Sequence, residues 1–157
     1  LALNNLFGWS NLSSMHNHPF YLSSSLQYWH EKSQRHMEMA VAFLHHGMYE
    51  ECFSFVGMAV EAMLRAFYIE INGQLVHAQP SYEILIKTLR SYGEVDLDTE
   101  LFLYSILELA SHYNSFITSP PTEECVRKLL LRIDKILHYL SVKIGDDPKW
   151  SYHRILT

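Results

Sequence analysis

Two pairs of side chains stand one helical turn apart with charges that can meet. Glu61 and Arg65 are four residues apart within a long apolar stretch. That spacing puts both on one helix face, where a solvated ion pair adds about 0.3 kcal/mol. Charge in the middle of a largely buried helix must face a groove or an interface, because leaving it unpaired inside is costly. The pair is therefore either a solvated structural pair or part of a polar cleft that reads a ligand. Glu108 and His112 repeat the spacing, followed by Tyr113, Asn114 and the Ser119-Pro120 loop. A carboxylate beside an imidazole favours the imidazolium. This second pair fits either acid–base chemistry or a surface ion pair near a helix end, where a cation is favoured.

Other chemistries fail on spacing. The chain has 10 histidines, but ligands on helices must recur at i and i+3 or i+4 to converge on one ion. No Glu-x-x-His, His-x-x-x-His or His-Glu-x-x-His occurs. His16 and His18 supply only two ligands, and the adjacent His45 and His46 point about 100° apart on a helix. Neither Cys52 nor Cys125 has a histidine at helical spacing; both fall on apolar stripes and read as buried structural thiols. There is no Gly-x-Ser-x-Gly elbow and no glycine-rich phosphate loop. No metal and no cofactor is expected.

Helices must position the two charged pairs. Ser24 with Gln27 makes a capping box for a first helix, whose apolar face runs Leu26, Trp29, Met37, Ala40, Val41, Leu44 and stops at Gly47. A second helix opens near Met48 with Glu50 and Glu51 in its first turn, where acidic groups offset the helix dipole. Its two apolar stripes (Cys52, Val56, Ala59, Met63, Phe67; and Phe53, Val60, Leu64, Ile71) mark the centre of a bundle. A short third helix follows Pro80-Ser81, with Tyr82, Leu85, Ile86, Leu89 and Tyr92 inward. Asp96 caps a fourth, carrying Leu101, Phe102, Ile106, Leu109 and Tyr113. Thr122, with Glu123 and Glu124, starts a fifth with Val126, Leu129, Leu130, Ile133, Leu137, Leu140 and Ile144 on its apolar face. Gly47, Gly73, Gly93 and Gly145 end four of these helices. No segment alternates as a strand. The expected fold is all-α: a five-helix up-and-down bundle over residues 23–145, an apolar arm over 1–22 and an extension over 146–157.

Composition narrows the function. A chain of 157 residues fits one domain and can build its own core. Net charge −5 argues against gripping a nucleic-acid backbone. Two cysteines make no disulfide framework, so a reducing cytoplasm is expected. No apolar run approaches the ~18 residues of a membrane span, and no secretory signal is recognisable. Residues 1–30 carry no Asp, Glu, Lys or Arg, so the arm is expected to pack on the domain or on a neighbouring copy, or to recognise a partner. Trp150 and Tyr152 suggest that the extension docks. The leading Leu1 allows a fragment or a processed form.

The run Gly47-Met48-Tyr49-Glu50-Glu51-Cys52, followed by Gly57-Met58-Ala59-Val60-Glu61-Ala62-Met63-Leu64-Arg65-Ala66-Phe67, resembles the HEPN family (higher eukaryote and prokaryote nucleotide-binding domain). In that family a helix ending near a glycine leads to an Ala-Val-Glu-x-x-Leu-Lys-Ala-like core, which Ala59, Val60, Glu61, Leu64, Arg65 and Ala66 match with Arg for Lys. The likeness spans about residues 24–142. It implies a homodimer and either an accessory role beside a nucleotidyltransferase or metal-independent RNase activity. The RNase branch carries Arg, four to six residues, then His near the end of the fourth helix. Here that place reads His112-Tyr113-Asn114-Ser115-Phe116, without the Arg. Arg132 and His138 have the spacing but lie on the fifth helix, where six steps leave them about 120° apart. The family's frequent Thr-His-Asp before the third helix is replaced by Ser81-Tyr82-Glu83, with His77 just upstream.

The resulting expectation is a non-catalytic HEPN-like domain that dimerises and offers a polar groove to a nucleotide-like ligand or partner protein. Glu61 and Arg65 are expected to line that groove, with Tyr82, His112 and Tyr113 beside them. The rivals are an RNase using Arg132 and His138 or Glu108 and His112, and a structural interaction module from a longer chain.

Overall fold

The computed structural model describes residues 18–73, 80–92, 95–144 and 152–157, with side chains from Ser24 onward. Among the described residues there are six helices and no strand: α1 (His18–His45), α2 (Tyr49–Asn72), α3 (Tyr82–Ser91), α4 (Leu97–Ser111), α5 (Tyr113–Phe116) and α6 (Glu123–Lys143). The architecture is the expected all-α bundle with one added single-turn helix, α5.

α1 begins six residues before Ser24, so Ser24 lies inside the helix and the Ser24–Gln27 capping box does not form its start. Pro19 sits in the first turn, where its missing N–H removes no intrahelical bond. Three residues turn the chain from α1 to α2. Gly47 takes φ +68°, and the amides of Gly47 and Met48 close the turn on the carbonyls of Leu44 and Phe43 at 3.0 Å each. Gly73, at φ +60°, ends α2 in the same way. The other starts follow their caps. Ser81 accepts from the Ile84 amide, Asp96 from Thr99 and Thr122 from Cys125.

α2 is the central element and packs against α1, α3, α4 and α6. Phe53, Val56, Val60, Met63, Leu64 and Phe67 are all buried on it, as its two stripes require. It is the one described helix long and apolar enough to cross a membrane, but 72% of its most apolar stretch is buried within the bundle.

Three expected inward residues face outward. Leu101 shares the outer face of α4 with Leu97 and is 57% exposed, while Leu103, Ile106 and Leu107 fill the core. Tyr92 is exposed at the C-cap of α3, its ring edge-on to Phe67. Cys125 is exposed because it shares a face of α6 with Lys128, Arg132 and Lys135 rather than with Val126 and Leu130. Cys52 is buried as expected, and burial pushes its thiol up to about 12, leaving it inert near neutrality.

Residues 1–17 of the arm expected over 1–22, with Gly93, His77, Gly145 and Trp150, lie outside the described residues, and residues 18–22 belong to α1. Tyr152 does dock: its side chain is buried, and residues 152–157 lie against α1 and α6.

Candidate functional site

One small residue sets the geometry. At Gly57 a Cβ would stand 2.5 Å from the Cβ of Ala110, closer than real methyl groups approach. The absence of that Cβ lets the end of α4 cross directly over α2. The crossing carries Ser111, His112, Tyr113 and Asn114 to the first turns of α2. A cavity of about 440 Å³ opens between the two segments, walled by Glu50, Glu51 and Ser54 on one side and Ala110–Ser115 on the other. Asn114 Nδ2 donates to Glu50 Oε1 at 3.0 Å and ties the rims together. The Tyr113 ring tilts against Phe53 at 5.8 Å, and its hydroxyl is harder to ionise because of burial and then Glu50. His112 ends α4 and starts α5. Its Nδ1 lies 3.6 Å from Glu108 Oε2, and both side chains are exposed, so water and salt screen the pair.

Two turns further along α2, Arg65 binds one oxygen of Glu61 through Nε at 2.9 Å and Nη2 at 2.7 Å. The other oxygen, Oε2, accepts the Tyr82 hydroxyl at 3.0 Å. Trp29 of α1 covers the guanidinium at 5.3 Å, and Lys32 stands 5.0 Å from the same ring. The Arg65 side chain is only 6% exposed against 27% for Glu61. The groups a visitor would meet are therefore the carboxylate and the phenol, not the cation. Burial makes the Tyr82 hydroxyl harder to ionise, and the neighbouring Glu61 charge adds to that.

The five expected site residues thus fall into two sets. Glu61, Arg65 and Tyr82 form one hydrogen-bonded cluster; His112 and Tyr113 line the cavity, which the first three do not.

A family model described as HEPN domain matches residues 26–144, which take in all of α2 to α6 and most of α1. The chain belongs to the HEPN family. No curated protein and no solved structure matches it.

Within this HEPN domain the two residues with the RNase spacing on α6 bind separate partners. Arg132 pairs with Asp98 at the start of α4 and lies 4.0 Å over the Phe102 ring. The His138 Nδ1–H donates to the Tyr152 carbonyl at 3.0 Å, on the side of the extension. The two side chains face different elements and do not converge. Among the described residues no three His, Cys, Asp or Glu side chains gather as a metal site.

Two features escaped the sequence. Glu50 and Glu51 read only as dipole partners, although they wall the cavity. Asp134 carries no motif, yet it is 0% exposed and accepts from Tyr152, Ile155 and Leu156. The available signal was a carboxylate placed between Ile133 and Leu137 on the apolar face of α6.

Proposed function

We propose that this HEPN domain is a non-catalytic binding module that holds a nucleotide-like ligand by its base and sugar in the α2–α4 cavity. The observation that carries this is the pair Glu50 and Glu51 facing His112, Tyr113 and Asn114 across about 440 Å³, a volume suited to a small ligand. Carboxylates accept from exocyclic amines and ribose hydroxyls and repel phosphate. No lysine or arginine lines the cavity, and the His112 imidazole already faces Glu108. The same lining suits an arginine or lysine from a partner protein, which fits an accessory role beside a nucleotidyltransferase. Glu61, oriented by Arg65, and Tyr82, which donates to Glu61, form a second contact point outside the cavity. A homodimer in a reducing cytoplasm belongs to the same proposal.

Calorimetric titration with the four ribonucleosides and their triphosphates tests it. At least one nucleoside is expected to bind more tightly than its triphosphate, and Glu50→Gln should weaken it about 10-fold through loss of a charged acceptor. No binding by any nucleoside, or triphosphates binding best, would count against the proposal. The Glu108–His112 pair beside the cavity supports the RNase alternative. Cleavage of RNA by the purified chain, lost in His112→Ala, would replace the binding module by that enzyme.

A further inference from the structure

We propose that the groove between α1 and α6 is a peptide-binding site, filled here by the chain's own segment Tyr152–Thr157. Residues 152–157 form neither helix nor strand, yet side chains from two helices read their main chain closely. Ser141 Oγ accepts the Tyr152 amide at 3.2 Å, and His138 donates to the Tyr152 carbonyl. Gln34 takes both main-chain groups of His153, donating to its carbonyl at 3.2 Å and accepting its amide at 2.9 Å. Asp134 accepts the amides of Ile155 and Leu156 at 3.1–3.2 Å. Two side chains then enter the fold. Tyr152 is buried and donates its hydroxyl to Asp134 at 2.7 Å, and Leu156 is buried four residues on.

This division of labour is that of extended-peptide recognition: main-chain bonds hold any sequence, and pockets for spaced side chains select one. The bonding partners of the groove all lie on helices inside the HEPN match, whereas the segment lies beyond it. Asp134, at 0% exposure, has every one of its described partners in that segment. The domain therefore carries a buried acceptor whose donors come from an added peptide. The ligand class is an extended peptide with a tyrosine, then an aliphatic residue four positions later. It carries no proline at the four positions whose amides are bound.

The test uses the full chain with Tyr152→Ala, which empties the aromatic pocket, and a fluorescein-labelled peptide of sequence Ser-Tyr-His-Arg-Ile-Leu-Thr. The variant is expected to bind this probe at least 10-fold more tightly than the native chain. Adding Asp134→Asn, or placing proline at the peptide's isoleucine, should abolish the gain. A folded variant that binds the probe no better than the native chain overturns the proposal. Should Tyr152→Ala lose its helical circular dichroism, hydrogen exchange of the native chain decides. The Ile155 and Leu156 amides are expected to exchange at least 10-fold faster than that of Leu137, because the segment leaves while the bundle stays. Equal rates would make the segment part of the core and refute the site.

Discussion

Asp134 and Glu61 are both helix carboxylates that accept a tyrosine hydroxyl beside an arginine, and their surroundings are inverted. At Asp134 the carboxylate is fully buried and Arg154, 3.5 Å away, stays at the surface with its side chain 36% exposed. At Glu61 the cation is buried beneath Trp29 and the carboxylate keeps contact with water. The first arrangement has no room for another partner; the second leaves an acceptor available. The difference follows from where the donors originate. Arg65 is four residues from Glu61 on the same helix, so the pair forms whenever the helix forms. The donors to Asp134 arrive from 18 to 22 residues later, so the carboxylate is satisfied only when the extension docks.

The largest expected effect tests that inversion. Asp134→Ala strands the Tyr152 hydroxyl and two main-chain amides in a buried place, at about 3 kcal/mol. Glu61→Ala should cost about half as much, since Glu61 is itself partly exposed and its truncation opens a way for water to the buried Arg65 and to Tyr82. Urea unfolding of both variants measures this. A costlier Glu61→Ala would reverse the comparison and make the α2 cluster the structural one.

Gly57→Ala comes next. The added methyl meets Ala110, so α4 must shift outward, at about 2 kcal/mol. The shift also disturbs the cavity, so nucleoside binding should fall with the melting temperature. Stability lost with binding intact would show that the crossing does not shape the cavity.

Much of this molecule was legible from local rules. Ser81, Asp96 and Thr122 cap the helices they precede, and Gly47 and Gly73 end helices in the left-handed conformation. Those features depend on a few neighbouring residues. Glu61 and Arg65 were legible for the same reason, and α2 was recognisable as central from its two apolar stripes. What was hidden depends on distant partners. Leu101 and Leu103 are equally apolar but point to opposite sides of α4, and which side turns inward is set by how α4 packs on α2, where Ala110 meets Gly57. Nothing local marks Asp134 among the polar residues of α6, because its donors, 18 to 22 residues away, cannot be paired with it by spacing. The start of α1 is hidden because the Ser24–Gln27 pattern has cap chemistry wherever it falls, whereas Pro19 already permits a helix start five residues earlier.

The two arginines sharpen the comparison at smaller scale. Arg65→Lys loses two bonds to one carboxylate oxygen and the stacking on Trp29, at about 1 kcal/mol. Arg154→Lys should change stability by less than about 0.5 kcal/mol, because the cation stays at the surface and the lysine keeps its charge there. Equal losses would mean that burial of the cation does not separate the two clusters.

The smallest effect concerns the edge of the α2 cluster and depends on pH. His36 of α1 lies edge-on to Phe55 of α2 at 5.8 Å, and its Nδ1 is buried without a hydrogen-bond partner among the described residues. Burial lowers its basicity, and Lys32 on the same helix adds to that. The Met58 main chain and the charge of Glu61, both on α2, oppose the lowering without reversing it. A histidine whose folded pKa lies below its unfolded value is taken up with a proton more readily by the unfolded chain. Its contribution is therefore complete above the ordinary value of 6.5 and declines as the pH falls through 6.5 toward the lowered one. The melting temperature of the native chain should drop between pH 7.5 and pH 5 by more than that of His36→Gln, which keeps a polar side chain but cannot titrate. Parallel curves would show that the proton reaches His36 as easily in the fold as outside it. The α1 flank of the Glu61 cluster would then be as open to water as the carboxylate itself.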